Sequence, residues 1–358
     1  MTALRIGIDA RAAVEVPAGS GRVVRELLRA LADRDDRHRY ICYCRTPWDI
    51  ALDERFHWRL VGLPDPWWHA RVARAARREC DVFLAANSFL TVLLLSIPAV
   101  PIVYDLLTFN PAMHANRRSL IVERLTLGRA VKRAAQIIAI SHSTEHNLVA
   151  RFPAARGKVA VAPLGVSPTL APDASVDEPE GFVLAVGTLE PRKNLPRLVA
   201  AYAQLPEELQ RRHRLVVAGE LGWEAGPTTA ALRSLGDRCR ILGYVSDGEL
   251  AELYKCCAVF CFPSLGEGFG LPVLEAMALG AAVLTSDNTS LPEVGGDAVE
   301  YADALDVASI ACGLERLLRS PERRAKLRAR GRERAQAFSW ARFAECTLAA
   351  LEQAAAKQ

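Results

Sequence analysis

Ser264-Leu-Gly-Glu267-Gly-Phe-Gly-Leu-Pro-Val-Leu-Glu275 is the stretch on which the fold turns. It follows Val259-Phe-Cys-Phe-Pro263, a short apolar run that reads as a buried strand. It leads into Pro272-Val-Leu-Glu-Ala-Met-Ala-Leu-Gly280, which reads as a helix with Gly280 at its C-terminal end. A strand, a glycine-bearing turn and a helix bring backbone N–H groups at a helix N-terminus to where an anion can meet them. Gly268 and Gly270 permit a sharp turn and let a ligand approach the backbone. Pro272 suits the first helical turn, where its missing N–H leaves nothing unpaired.

Two carboxylates bracket this turn. Glu267 lies in the loop, and Glu275 sits about one turn inside the helix. Phosphate would repel either carboxylate, so hydroxyls are the better partners, and a ribose or hexose supplies them in pairs. Taken singly, Glu267 reads as a solvated loop charge and Glu275 as a charge favoured near a helix start. Together, across a Gly-x-Gly turn after an apolar strand, they favour a ligand.

A chain of 358 residues is about two domains long. Hydrophobic residues make up 51% and charged residues 24%, enough for sizeable cores in an ordinary globular composition. The formal charge of +4 is mild and by itself argues neither for nor against a nucleic-acid partner; the dispersal of the basic residues disfavours one. No apolar run is long enough to span a bilayer, and the N-terminus enters a strand at once without a signal-peptide layout. The nine cysteines are an odd count without zinc spacing, and Cys42, Cys44, Cys257 and Cys261 sit in apolar runs. Buried reduced thiols in a cytoplasmic protein are expected. The one Asp-x-Asp, Asp33-Arg-Asp35, falls in a charged helix end, so no metal is expected.

Outward from the opening stretch, strands and helices alternate, which points to parallel, doubly wound sheets. Strands are expected at Leu4–Asp9, Tyr40–Arg45, Trp58–Leu63, Val82–Ala86, Val100–Tyr104, Ala135–Ser141 and Val159–Gly165. A proline-rich, acidic segment then breaks every period, and the alternation restarts at Phe182–Gly187, Leu215–Gly219 and Arg240–Val245. The expected organisation is an N-terminal domain over 1–170, a linker over 171–180, a second domain over 181–337, and a terminal helix over 338–358 packing toward the first domain.

Gly19-Ser20-Gly21 precedes a helical pattern from Val23 to Ala32 and reads either as a ligand-facing loop or as a plain turn. Asp105 ends an apolar strand, where a sheet of this kind binds ligands; a capping role explains it equally well. Arg192 and Lys193 follow the Phe182–Gly187 strand and precede a helix, a plausible diphosphate clamp. The arginine-rich segment from Arg117 to Ala135 and Pro66-Trp-Trp68 before Arg71–Arg78 admit peripheral membrane contact; ordinary amphipathic helices are the commoner explanation.

These residues resemble the retaining, nucleotide-sugar-dependent glycosyltransferases of family four, whose GT-B fold sets two Rossmann-like domains facing each other across a cleft. Ser264-x-x-Glu267-Gly-Phe-Gly-x-Pro-x-x-Glu275 looks like that family's two-glutamate signature, and Gly187-Thr-x-Glu-Pro-Arg192-Lys193-Asn194 is similar to its donor-diphosphate loop. The Asp-Ala-Arg start, the Gly19-Ser20-Gly21 loop, the Tyr104-Asp105 strand end and the Phe338-Ser-Trp340 tail also fit. In overall look the chain is nearest to bacterial mannosyltransferases of polysaccharide and O-antigen assembly.

The resemblance implies that Arg192 and Lys193 hold the donor diphosphate, with backbone N–H groups of Gly268, Phe269, Gly270 and Leu271 assisting. It implies that Glu275 holds the ribose, Glu267 the transferred sugar, and Gly243-Tyr244-Val245 the nucleobase, while Gly187 lines the diphosphate loop. Gly19, Ser20, Gly21 and Asp105 would face the acceptor and the reacting sugar. The implied partners are a nucleotide sugar, with GDP-mannose the best expectation, and a glycan or lipid-linked oligosaccharide acceptor. UDP-glucose, UDP-N-acetylglucosamine and dTDP-rhamnose stay open as donors, and a 2-epimerase or a sugar-nucleotide-binding regulator are the rival functions. Tyr104 stands where many relatives carry histidine, which removes a familiar sugar contact; His114 and His142 read as structural or exposed.

Overall fold

The computed structural model describes residues 3–109, 117–167, 181–223 and 225–357. The expected linker over 171–180 and His114 lie outside these residues. Two compact units are present, Met1–Gly165 with Ser339–Gln358, and Val166–Phe338.

The first unit carries seven strands: β1 Arg5–Asp9, β2 Arg39–Cys44, β3 Phe56–Leu60, β4 Val82–Ala85, β5 Ala99–Val103, β6 Ile137–Ala139 and β7 Val159–Val161. Every pairing is parallel, in the order β3-β2-β1-β4-β5-β6-β7. The second unit holds β8 Val183–Val186, β9 Leu215–Ala218, β10 Cys239–Gly243, β11 Val259–Phe262, β12 Val283–Ser286 and β13 Glu300–Ala302, again all parallel, in the order β10-β9-β8-β11-β12-β13. Both are Rossmann-like sheets whose strand order reverses once, between β1 and β4 and between β8 and β11. Such reversal points open a crevice beyond the strand C-termini.

The apolar runs follow from this layering. β4, β5, β9 and β11 are buried at every residue, as parallel strands covered by helices on both faces must be. The edge strands β3 and β10 are only partly buried and carry polar residues. In the second unit Val183, Val217, Val259 and Leu284 join Leu198, Tyr202, Leu314 and Leu317 from the flanking helices in one core. In the first, Phe83, Ala85 and Ala99 pack with Trp68, Val72 and Ala76.

The last helix, Trp340–Ala355, belongs to the first unit, where Trp340, Phe343 and Leu351 are buried. Ser339 caps it by accepting the Arg342 N–H at 3.2 Å. All nine cysteines are free thiols, and Cys42, Cys44, Cys257 and Cys261 are buried.

Some elements differ from the sequence expectation. A short helix, Ala12–Glu15, precedes the expected glycine loop, and the next helix begins at Ser20 instead of Val23, so that it takes in Ser20 and Gly21 of that loop. Residue 21 must be glycine because a Cβ there would overlap the Val16 carbonyl oxygen of the preceding turn. Trp68 is wholly buried under the Arg11 guanidinium, 3.7 Å from its ring centroid, so only Trp67 of that pair is exposed. Strand β13 and the helices Val307–Arg319 and Pro321–Ala335 were not anticipated.

Candidate functional site

The loops leaving β8 and β11, on either side of the reversal point, are tied together. Pro191–Lys193 forms a 3-10 turn that ends at Asn194, a non-glycine residue in the left-handed region at φ 60°. Its strained backbone is held by its own side chain, which donates from Nδ2 to the Pro263 carbonyl at 2.9 Å and the Ala304 carbonyl at 2.6 Å. The Arg192 carbonyl accepts the Leu265 N–H at 2.9 Å. Arg192 and Lys193 are thereby fixed against the Glu267 turn.

Charge meets charge there. The Glu267 carboxylate accepts from Arg192 Nη1 at 2.5 Å, from Lys193 Nζ at 2.8 Å and from Ser264 Oγ at 2.8 Å. Arg192 also donates from Nη2 to Glu190 at 2.6 Å, and the Trp223 indole N–H donates to the other Glu190 oxygen at 3.1 Å. The side chains of Glu267 and Lys193 are each only 10% exposed. Burial alone would raise the Glu267 carboxyl, but Lys193 and Arg192 overcome it and hold the group down to about 2. Burial also lowers the Lys193 ammonium, helped by the Arg192 charge and opposed by Glu267. Glu267 is therefore an anion at neutral pH, able only to accept hydrogen bonds, and it faces two cations.

The turn itself is braced from behind. Ser290 Oγ lies 2.9 Å from the carbonyl oxygens of both Glu267 and Phe269, which share its single O–H, and Ser286 Oγ donates to the Ser264 carbonyl at 2.8 Å. The Glu267 N–H donates to Thr289 Oγ1 at 3.1 Å. Gly270, at φ 107°, starts the helix Leu271–Ala278, with Pro272 in its first turn and Gly280 in the left-handed region past its end. The Phe269 ring is buried against Phe338, so toward a ligand this residue offers backbone. Glu275 lies inside the helix and is 3% exposed.

A row of glycines completes the rim. Gly187, Gly219 and Gly243, at φ 132°, 150° and 73°, end the adjacent strands β8, β9 and β10. The Gly219 N–H donates to the Gly243 carbonyl at 2.7 Å, and a Cβ on Gly219 would overlap the Gly187 carbonyl. A Cβ on Gly187 would press on the Lys193 chain at 3.0 Å. Gly219→Ala is therefore expected to lose about 2 kcal/mol or more, as overpacking and left-handed strain add. Urea denaturation checks this, and an unchanged midpoint would show that the rim can relax. Beside Gly243, Tyr244 projects into solvent at 72% exposure.

Two family descriptions tile this chain: "Glycosyltransferase Family 4" over residues 17–170 and "Glycosyl transferases group 1" over residues 167–334. The MMP alpha-(1->4)-mannosyltransferase of Mycolicibacterium hassiacum is 30% identical over 337 residues, covering 86% of this chain and 80% of that protein. The chain belongs to the family-four, group 1 glycosyltransferases. Higher identity is found over shorter reach. The O-antigen chain mannosyltransferase B of Escherichia coli is 44% identical over 164 residues, 45% of this chain and 43% of its own length. The serotype-specific mannosyltransferase WbdA of Escherichia coli is 40% identical over 174 residues, 48% of this chain and 21% of its own. The matched region thus spans less than half of those two relatives. Among solved structures, sucrose-phosphate synthase of Thermosynechococcus elongatus superposes with a TM-score of 0.78 at 21% identity, over 99% of this chain and 100% of that one. Anabaena HepE in complex with UDP and glucose gives 0.75 at 16%, over 98% and 99%. At such identities the likeness concerns the fold, which is GT-B.

In this family-four chain Arg192, Lys193, Glu267 and the Gly268–Leu271 turn are assembled within the second unit, along with Gly187, Gly243, Tyr244, Val245 and Glu275. Gly19, Ser20, Gly21 and Asp105 belong to the first unit. Gly19, at φ 55°, precedes the helix Ser20–Ala32. Asp105 accepts the Leu107 N–H at 2.9 Å, and the Tyr104 hydroxyl donates to the Ala86 carbonyl at 2.9 Å. Burial, with the Asp105 charge second, pushes the Glu123 carboxyl up to about 7. His142 is exposed and meets Glu145 at 3.2 Å.

Sequence reasoning quoted Glu190 within the Gly187–Asn194 motif without giving it a role, and it missed Trp223 and the bracing Ser286–Ser290 segment. Glu190 sits two residues before Arg192, and a carboxylate so near a proposed phosphate cation was the available signal. Trp223 had none, because only folding brings it to Glu190. Among the described residues no group of three His, Cys, Asp or Glu is arranged to hold a metal, and no helix is long and apolar enough to cross a membrane.

Proposed function

We propose that the protein transfers a hexosyl group, mannose from GDP-mannose, to a glycan or lipid-linked oligosaccharide with retention of configuration and without a metal. The observation that carries this reading is the joint placement of Arg192 and Lys193 on Glu267, ahead of a helix N-terminus at the sheet reversal point. The mannosyltransferases among its relatives support the choice of sugar.

In this reading the bond between the sugar's anomeric carbon and the diphosphate oxygen breaks, and both electrons leave with the diphosphate. Arg192, Lys193 and the backbone N–H groups at the start of Leu271–Ala278 neutralise that growing charge, the task a divalent metal performs elsewhere. Glu267, held ionised, accepts hydrogen bonds from hydroxyls of the transferred sugar, and Glu275 from those of the ribose. The acceptor oxygen attacks from the face the diphosphate leaves, and a phosphate oxygen takes its proton. Gly243, Tyr244 and Val245 take the nucleobase; Gly19, Ser20, Gly21 and Asp105 serve the acceptor and the reacting sugar.

Thermal denaturation in EDTA with GDP, UDP, dTDP, ADP and the matching sugar nucleotides tests the donor. A ligand that binds only the folded state adds about 2.7 kcal/mol at 100 times its dissociation constant. Stabilisation by GDP and GDP-mannose alone is expected; stabilisation by UDP or dTDP instead would remove mannose, and none at all would favour the regulator. Peripheral attachment at the cytoplasmic membrane face belongs to the same proposal. The helix Arg117–Arg133 exposes Ile121, Val122 and Leu125 on a chain that also carries Arg124 and Arg129. Co-flotation with anionic liposomes at low salt is expected, and protein left at the bottom of the gradient would rule attachment out.

A further inference from the structure

Beyond the glycine rim, the chain leaving β8 and the chain leaving β9 are joined a second time. The Leu189 N–H donates to the Glu220 carbonyl at 2.8 Å and the Gly222 N–H to the Leu189 carbonyl at 3.2 Å, so that Leu189 and Leu221 pair as parallel strands do. A Cβ on Gly222 would come within 2.7 Å of the Thr188 methyl and 3.0 Å of the Leu189 carbonyl oxygen. The 220–223 segment is thus seated on the 188–190 loop. The residue it delivers there is Trp223, the one tryptophan of the second unit.

The indole has a single N–H and gives it to Glu190 Oε2 at 3.1 Å. Glu190 Oε1 accepts from Nε and Nη2 of Arg192, at 3.0 and 2.6 Å. With Oε2 pinned by the indole, the carboxylate meets the guanidinium through one oxygen and does not close the two-oxygen fork that such pairs favour. Nη1 of Arg192 donates to the Gly266 carbonyl at 3.1 Å and to Glu267 at 2.5 Å. Four of the five guanidinium N–H groups are so engaged within the protein. Among the described residues the fifth, on Nη2, meets no acceptor, and its direction is set by how Glu190 sits.

We propose that Trp223 is a positioning residue for diphosphate recognition, acting on Arg192 through Glu190. The inference rests on the proposed role of Arg192 as a diphosphate cation. The indole N–H fixes the Glu190 carboxylate so that it orients the guanidinium without capturing its last donor. Rotation about the Glu190 Cγ–Cδ bond is otherwise soft. Without the indole N–H the carboxylate turns, takes Nε and Nη2 on separate oxygens, and competes with the incoming diphosphate for Arg192.

Calorimetric titration of the whole protein with inorganic pyrophosphate in EDTA tests this, because pyrophosphate carries the leaving group's charge without base or sugar. Trp223→Phe keeps an aromatic ring and removes the N–H. It is expected to bind pyrophosphate about tenfold more weakly than wild type, the worth of one hydrogen bond to a charged group, with its denaturation midpoint unchanged. Gly222→Ala, which displaces the segment and leaves the indole intact, is expected to weaken binding as well and serves if Trp223→Phe folds poorly. In an Arg192→Ala background Trp223→Phe should cost nothing further, whereas a purely structural tryptophan would cost the same in both backgrounds. Wild-type affinity in Trp223→Phe, or equal losses with and without Arg192, overturns the positioning role while the diphosphate site stands. Wild-type protein that binds no pyrophosphate overturns the diphosphate reading of Arg192 and this inference with it.

Discussion

Replacing Arg192 by alanine is expected to lower kcat by about 10²–10³, the usual cost of removing one donor to a developing oxyanion. Its guanidinium is locked before any ligand arrives, by Glu190 on one side and Glu267 on the other. The cation therefore needs little reorganisation as the diphosphate departs. Because the diphosphate gains charge as the glycosidic bond breaks, the loss should fall on kcat and on kcat/KM together. Steady-state kinetics of the variant decide the matter. A rise in KM with kcat within a few-fold of wild type would make Arg192 a ground-state binder and nothing more.

Glu267→Ala is expected to remove about 3–5 kcal/mol of stability at neutral pH, because it strands Lys193 and part of Arg192 in a site with little water. The effect carries a pH signature. The Glu267 carboxyl is held at about 2 in the folded protein, against about 4.3 in an unfolded chain. Its contribution is present in full above the unfolded value and is lost as pH falls through the window down to the folded one. Denaturant titrations of wild type and variant should differ most near neutrality and converge between pH 4 and pH 2. A gap that stays constant over that range would mean that Glu267 acts through packing instead of charge. Glu267→Gln keeps the shape and separates the chemistry, and it should depress turnover while leaving more of the fold intact.

Much of the molecule was legible in its residues because parallel sheets write a simple code. Runs such as Val82–Ala85, Leu215–Ala218 and Val259–Phe262 are covered on both faces and therefore read as unbroken apolar segments. Strand β13 escaped notice because Glu300-Tyr-Ala302 is neither a run nor an alternation. Its glutamate is buried only because Arg316 and Arg323 reach it from separate helices, at 2.5 and 2.6 Å. The Ala12–Glu15 helix escaped because a proline and two glycines shortly after it dominate the local pattern.

At the site, Arg192, Lys193 and Glu267 announced themselves by position after apolar strands and by the glycines around them. What the sequence did not carry was their arrangement. Glu190 and Trp223 are 33 residues apart, and Glu267 and Thr289 are 22 apart, yet each pair shares a hydrogen bond. Contacts of that span are set by strand order, which local pattern does not encode. The Gly219 overlap with Gly187 is of the same kind, since a glycine at a strand end reads as a turn until its neighbour is known.

The most direct measurement follows GDP release from GDP-mannose with and without a mannose-terminated lipid-linked oligosaccharide, together with the anomeric NMR signal of any product. GDP should appear only when the acceptor is present, in step with a product that keeps the donor's anomeric configuration. GDP released equally without acceptor, or a product of inverted configuration, would contradict retaining transfer at the Arg192–Lys193–Glu267 site.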